Sequence, residues 1–141
     1  MTRILLAVND SPAGVAAART AIRFAHECQG QILAVHVVDV ASRTDSHPAT
    51  RRQDGSAGEQ ASRALLGYIT NLATQSEVEI ETTMLPGRPA EVILDRAAVW
   101  GADIIVLGRS GVRHVGQPFV GSQVLHVIEF ADVPVLVVPA A

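Results

Sequence analysis

The residues with the most chemistry in them lie between positions 104 and 123, in the run IIVLGRSGVRHVGQPFVGSQ. Gly108, Gly111, Gly116 and Gly121 punctuate it, Arg109, Arg113 and His114 bring charge or a titratable ring, and Ser122 stands near its end. That set suits an anion. Glycines let backbone N–H groups approach a phosphate closely and accept φ > 0. A serine at a helix entry caps the helix or donates its hydroxyl to a phosphate oxygen. The arginines add fixed positive charge.

The flanks say what holds this loop. Residues 104–107 are apolar throughout, as in a buried strand, and Val124, Leu125, Val127 and Ile128 follow at helical spacing. The order is strand, glycine-rich loop, helix. The first turn of such a helix has unpaired N–H groups and about half a positive charge from the dipole.

A second candidate follows the apolar run at residues 3–8. There Asn9-Asp10-Ser11-Pro12 ends a strand and starts a helix. Asp10 reads as an N-cap, or as a ligand contact just past the C-terminal end of a strand, where open α/β sheets bind ligands. The two roles are compatible. Ser11 is an alternative cap, and Pro12 fits the first helical turn.

Other polar groups read more simply. His36 lies inside a strand pattern with no second metal-type residue at matching spacing, so a packed or hydrogen-bonded histidine is expected. Glu77, Glu79 and Glu81 alternate with Val78, Ile80 and Thr82, the pattern of an edge strand with one wet face. Residues 41–56, ASRTDSHPATRRQDGS, are polar and aperiodic and are expected to form a flexible loop carrying His47, Arg51 and Arg52.

Composition removes several chemistries. All eleven cationic residues are Arg. Without lysine there is no Walker-A lysine and no Schiff base. Cys28 is the single cysteine, so neither an internal disulfide nor a cysteine metal cluster is available. No H-E-x-x-H motif or nucleophile elbow is present. The net charge of −3 comes with no basic face, so nucleic-acid binding is not expected.

At 141 residues and 48% hydrophobic content, one domain with a full core is expected. The opening MTRILLAVND enters strand pattern at once, unlike a secretory leader, and no apolar run reaches membrane-span length. A cytoplasmic protein is expected. The remaining pattern alternates strands (31–38, 78–85, 135–138) with helices (13–28, 57–76, 90–100, 121–130), with Gly30 and Gly101 as helix stops. Such alternation implies an α/β fold, a parallel sheet with helices on both faces.

Gly108-x-x-Gly111, nine residues, then Gly121-Ser122 resembles the nucleotide-binding signature of the universal stress protein family, in its ATP-binding branch. Ile4 to Ser11 resembles that family's first strand and acidic turn, and Val133 to Val138 its closing strand, so the resemblance covers essentially the whole chain. It implies a Rossmann-like five-stranded parallel sheet of order 3-2-1-4-5. In that order the Asp10 turn and the glycine loop leave adjacent strands toward opposite faces, and a crevice opens between them.

The resemblance further implies ATP as ligand, with Mg2+ bridging phosphates. Val8, Asn9, Asp10 and Val38 would lie near the adenosine, Val38 against the adenine. Leu107, Gly108, Arg109, Gly111, Gly121, Ser122 and Gln123 would cradle ribose and phosphates. The last strand would be an apolar edge, so a homodimer through it is expected on physical grounds as well as by resemblance. The implied role is an ATP-binding regulatory or stress-response module with a protein partner the sequence does not identify. The alternatives are a slow ATPase, with Asp10 and His114 as the proton-transfer pair, and an interaction module without nucleotide.

Overall fold

The computed structural model describes residues 1–39, 48–109 and 120–140. Five strands, β1 (Arg3–Val8), β2 (Gln31–Asp39), β3 (Glu79–Gly87), β4 (Ile104–Gly108) and β5 (Val135–Val138), form one sheet in the order β3-β2-β1-β4-β5. All four pairings are parallel, with Leu5 opposite both Leu33 and Ile105. The expected fold class and strand order are those observed.

Each of the first four strands feeds a helix: α1 (Pro12–Cys28), α2 (Pro48–Gln75), α3 (Pro89–Trp100) and α4 (Ser122–Phe130). Strand alternation sends even and odd residues to opposite faces. Ile4, Leu6, Ile32 and Val106 pack with Ala17, Ala21 and Ile69 of α1 and α2. Leu5, Leu33, Ile105 and Leu107 pack with Ile93, Ala97 and Val127 of α3 and α4. Ile4, Leu5 and Leu6 are fully buried, which is why β1 shows no polar alternation in sequence.

The helix starts are built locally. Ser11 is the N-cap of α1: its Oγ accepts from Gly14 N–H at 3.0 Å and donates to Asn9 Oδ1 at 2.6 Å. Of the two caps open in sequence, Ser11 is the one used. Gly14 leaves the room this turn needs, since a Cβ there would collide with Asn9. At the far end Gln29 takes the left-handed turn, with φ 55°. Gly30 follows, where a Cβ would lie 2.8 Å from Thr2 O. Gly101 ends α3 with φ 76°, as its sequence position suggested.

One boundary departs from expectation. Residues 48–56, read as part of a flexible polar loop, belong to α2, which starts at Pro48 rather than at 57. The start PATRRQDGSAGEQ carries no apolar stripe, so hydrophobic periodicity could not report it. Pro48 opens the helix as a residue with preset φ and no N–H to satisfy. Of the expected loop, 41–47 lie outside the described residues. At the other sheet edge β3 carries Glu79 and Glu81 exposed, as the alternation implied.

Gly108 is the tightest joint. A Cβ on it would lie 2.7 Å from the Ala13 carbonyl carbon and 2.9 Å from the Ala13 Cβ. The end of β4 therefore touches the first turn of α1 with no side chain between. Gly108→Ala is expected to destabilise the fold by about 1–3 kcal/mol through overpacking against backbone, read as a lower midpoint in urea with an unchanged slope.

Candidate functional site

At the C-terminal edge of the sheet, where β1 and β4 part company, a cleft of about 290 Å3 opens between α3 and α4. Its floor is apolar and comes from the strands: Ala7 of β1, Val35 and Val37 of β2, Leu107 of β4. Pro89 and Ile93 of α3 form one wall. The rim is polar backbone, from Val8 and Asn9 on one side and Gly108 and Gly121 to Val124 on the other.

Two helix starts face this cleft. Gly121 is the N-cap of α4, and glycine has no side chain with which to cap. Among the described residues, no side-chain cap is made to the first turn of α4, Ser122 to Val124. Arg88 likewise makes no side-chain cap for α3. There a substitute arrives from the neighbouring helix: Gln123 Oε1 accepts from Ala90 N–H at 2.9 Å. Each helix start contributes about half a positive charge, so the rim favours an anion. Among the described residues, no group of three or more His, Cys, Asp or Glu is placed to hold a metal ion.

The glycine-rich loop is pinned at both ends. Arg109 N–H donates to Val138 O at 2.8 Å, and Arg109 O accepts from Gly121 N–H at 3.0 Å. Residues 110–119 lie outside the description, and with them Gly111, Arg113, His114 and Gly116.

Most of the residues read from sequence meet here. Val8, Asn9, Leu107, Gly108, Gly121, Ser122 and Gln123 all line the cleft. Arg109 adjoins it, half-buried. Asp10 is exposed one residue beyond Asn9 and is not in the lining. Val38 needs correcting: it is not in the lining, and Val37 is. Even-numbered β2 residues face α1 and α2, so a residue on the α3/α4 face must be odd. Val35 and Val37 were legible from that alternation. Val8 contributes at the rim while its side chain packs in the α1/α2 core.

A larger groove, about 390 Å3, lies on the other face between α1 and α2, beside Arg19, Arg23, His26 and Leu72. Two of its polar side chains already serve the fold. Arg19 donates to the Tyr68 hydroxyl at 2.7 Å, and His26 Nδ1 donates to Ser76 O at 3.0 Å. The smaller cleft is the candidate, because position in an open α/β sheet outweighs size.

An open parallel α/β sheet of order β3-β2-β1-β4-β5, with a cleft at its switch point, defines the class of fold. Within it the chain belongs to the universal stress protein family, which it matches over residues 1–139. It is similar to the universal stress protein MJ0531 of Methanocaldococcus jannaschii, with 31% identity over 138 residues, 96% of this chain and 81% of the relative. Among solved structures the protein MJ0577 superposes with a TM-score of 0.83 at 22% identity, over 99% of this chain and 96% of that one. A universal stress protein from Archaeoglobus fulgidus, solved in complex with dAMP, gives a TM-score of 0.70 at 22% identity and covers 98% of both chains.

Gln123 supplies the test that separates packing from ligand binding at this rim. Gln123→Met keeps the length and removes the cap on Ala90. A loss of about 1 kcal/mol in folding stability is expected, measured by chemical denaturation without ligand.

Proposed function

We propose that the cleft binds an adenine nucleotide, ATP with Mg2+ in the leading reading, and that the protein is a cytoplasmic regulatory or stress-response module. The observation that carries this is the meeting of an apolar floor with the uncapped first turn of α4. The floor of Ala7, Val35, Val37 and Leu107 suits the face of a purine. The N–H groups of Ser122 and Gln123 suit phosphate oxygens, with the Ser122 hydroxyl as a further donor. Gly111 and the rest of the glycine loop would close over the phosphates, as the family resemblance implies. Mg2+ would arrive with the phosphates and keep several waters, taking few ligands from the protein. The dAMP complex of the A. fulgidus relative supports the ligand class. The volume is near the lower end of the roughly 300–1,000 Å3 usual for small-molecule pockets, which fits a base held inside and phosphates at the rim.

Gly121→Val tests the site cleanly. Gly121 has φ −66° and ψ 154°, extended backbone that valine adopts without strain. A folded mutant is expected, with its isopropyl group at the mouth of the cleft. Calorimetric titration with Mg·ATP should show binding in the wild type and none in the mutant. Mass spectrometry of the ligand released from freshly purified wild type should find an adenine nucleotide. Equal affinity in a folded Gly121→Val protein would refute the assignment.

We also propose a homodimer through β5. Val138 O accepts from Arg109 and Pro134 O from Ile105, so this row of β5 carbonyls is spent on β4. Alternation leaves the N–H and C=O groups of Val135 and Val137 pointing outward. A second copy of the same strand would satisfy them across a twofold axis. Val137→Pro removes one outward donor without touching the ladder to β4. By sedimentation velocity the wild type should run as a dimer and Val137→Pro as a folded monomer; a dimer in both would move the interface elsewhere.

A further inference from the structure

The geometry points to His36 as a positioning residue for the cleft rim, acting through the carbonyl of Val8; this rests on the cleft being the ligand site. His36 stands opposite Val8 in the β1–β2 register, at the end of β1. Its Nδ1 lies 2.9 Å from Val8 O. A carbonyl only accepts, so Nδ1 carries the hydrogen. On the other side of the ring Nε2 lies 2.9 Å from Ser62 Oγ of α2, and Ser62 Oγ donates to Gly58 O at 2.8 Å. The Val8 bond needs only the Nδ1 hydrogen, so it is present in both the neutral and the charged ring.

The bonds continue beyond Val8. The Val8–Asn9 peptide is the last of β1 and belongs to the cleft rim. Asn9 Oδ1 accepts from Ser11 Oγ, and Ser11 Oγ accepts from Gly14 N–H. One chain of contacts therefore runs from α2 through the imidazole to the end of β1, and on to the N-cap of α1. Its middle members, Val8 and Asn9, line the cleft; its outer members, Ser62 and Gly14, do not. His36 itself sits on the α1/α2 side of the sheet and touches no bound ligand, so its effect is orientation of the rim.

The role also accounts for a polar ring on the face that buries Ile32 and Ala34, four and two residues earlier. An aliphatic residue there would leave Val8 O at the strand end without this partner. It would also free the peptide plane that sets the direction of Asn9.

The experiment compares His36→Leu, His36→Gln and Ser62→Ala, all away from the cleft lining, by Mg·ATP calorimetry and by amide hydrogen exchange at Gly14 in unliganded protein. Glutamine can still donate to Val8 O; leucine cannot. His36→Leu is expected to weaken Mg·ATP binding about tenfold and to speed Gly14 exchange. His36→Gln should restore both to within about twofold of wild type, which a purely space-filling role would not require. Ser62→Ala should fall between them and serves if His36→Leu does not fold. A folded His36→Leu protein that binds and exchanges as wild type overturns the inference, as does a folded His36→Gln protein that fails equally. If wild type ignores Mg·ATP, the nucleotide reading fails by itself. Gly14 exchange then decides the positioning role, and unchanged exchange in the His36→Leu or Ser62→Ala protein refutes it.

Discussion

Five parallel strands all stop along one edge of the sheet, and there their backbone groups run out of ladder partners. Much of the site is an answer to that shortage. A buried carbonyl or amide without a partner costs roughly 1–3 kcal/mol, and two strand ends and two helix starts here have recruited one. The end of β1 uses the His36 ring, and the end of β5 uses Arg109 N–H. The start of α1 uses Ser11, and the start of α3 borrows Gln123 from the next helix. Against that background the start of α4 stands out, because its cap is a glycine with nothing to offer. Among the described residues no side chain caps that turn, which lines the cleft.

The glycines divide between two jobs that look alike in sequence. Gly14 and Gly108 are small because another part of the chain occupies the space, Asn9 in one case and Ala13 in the other. Gly121 is extended at φ −66°, a backbone conformation open to any residue, and it lines the cleft. A spacing motif reports both kinds together. Only the contacts around each position separate the glycine that packs from the glycine that leaves room for a ligand.

The strands were legible because buried parallel strands write themselves as apolar runs, and residues 4–8 and 104–107 do so plainly; their order came from the family resemblance. Helices with one wet face were equally clear. The start of α2 was not, since its sequence carries no apolar stripe. Val38 was one residue off because a run of two valines hides the period of two that decides which faces the cleft. Gln123 was legible as a site residue but not as the cap of α3, a contact spanning 33 positions. His36 was legible as a hydrogen-bonded ring, while its partners Val8 and Ser62 depend on how β1 and α2 are placed around it.

The two margins of the sheet are unlike each other. Along β3, Glu79 and Glu81 are exposed and Pro86 lacks an N–H, a combination that discourages another strand from adding there. Along β5 the residues are all valine or leucine. Growth is therefore permitted in one direction only. A head-to-tail contact would repeat without end and build a filament, but joining like margin to like uses up the permissive side of both copies at once. In the proposed dimer, what would face outward is acidic strand at either extreme. The asymmetry that would invite pairing would thus also terminate it.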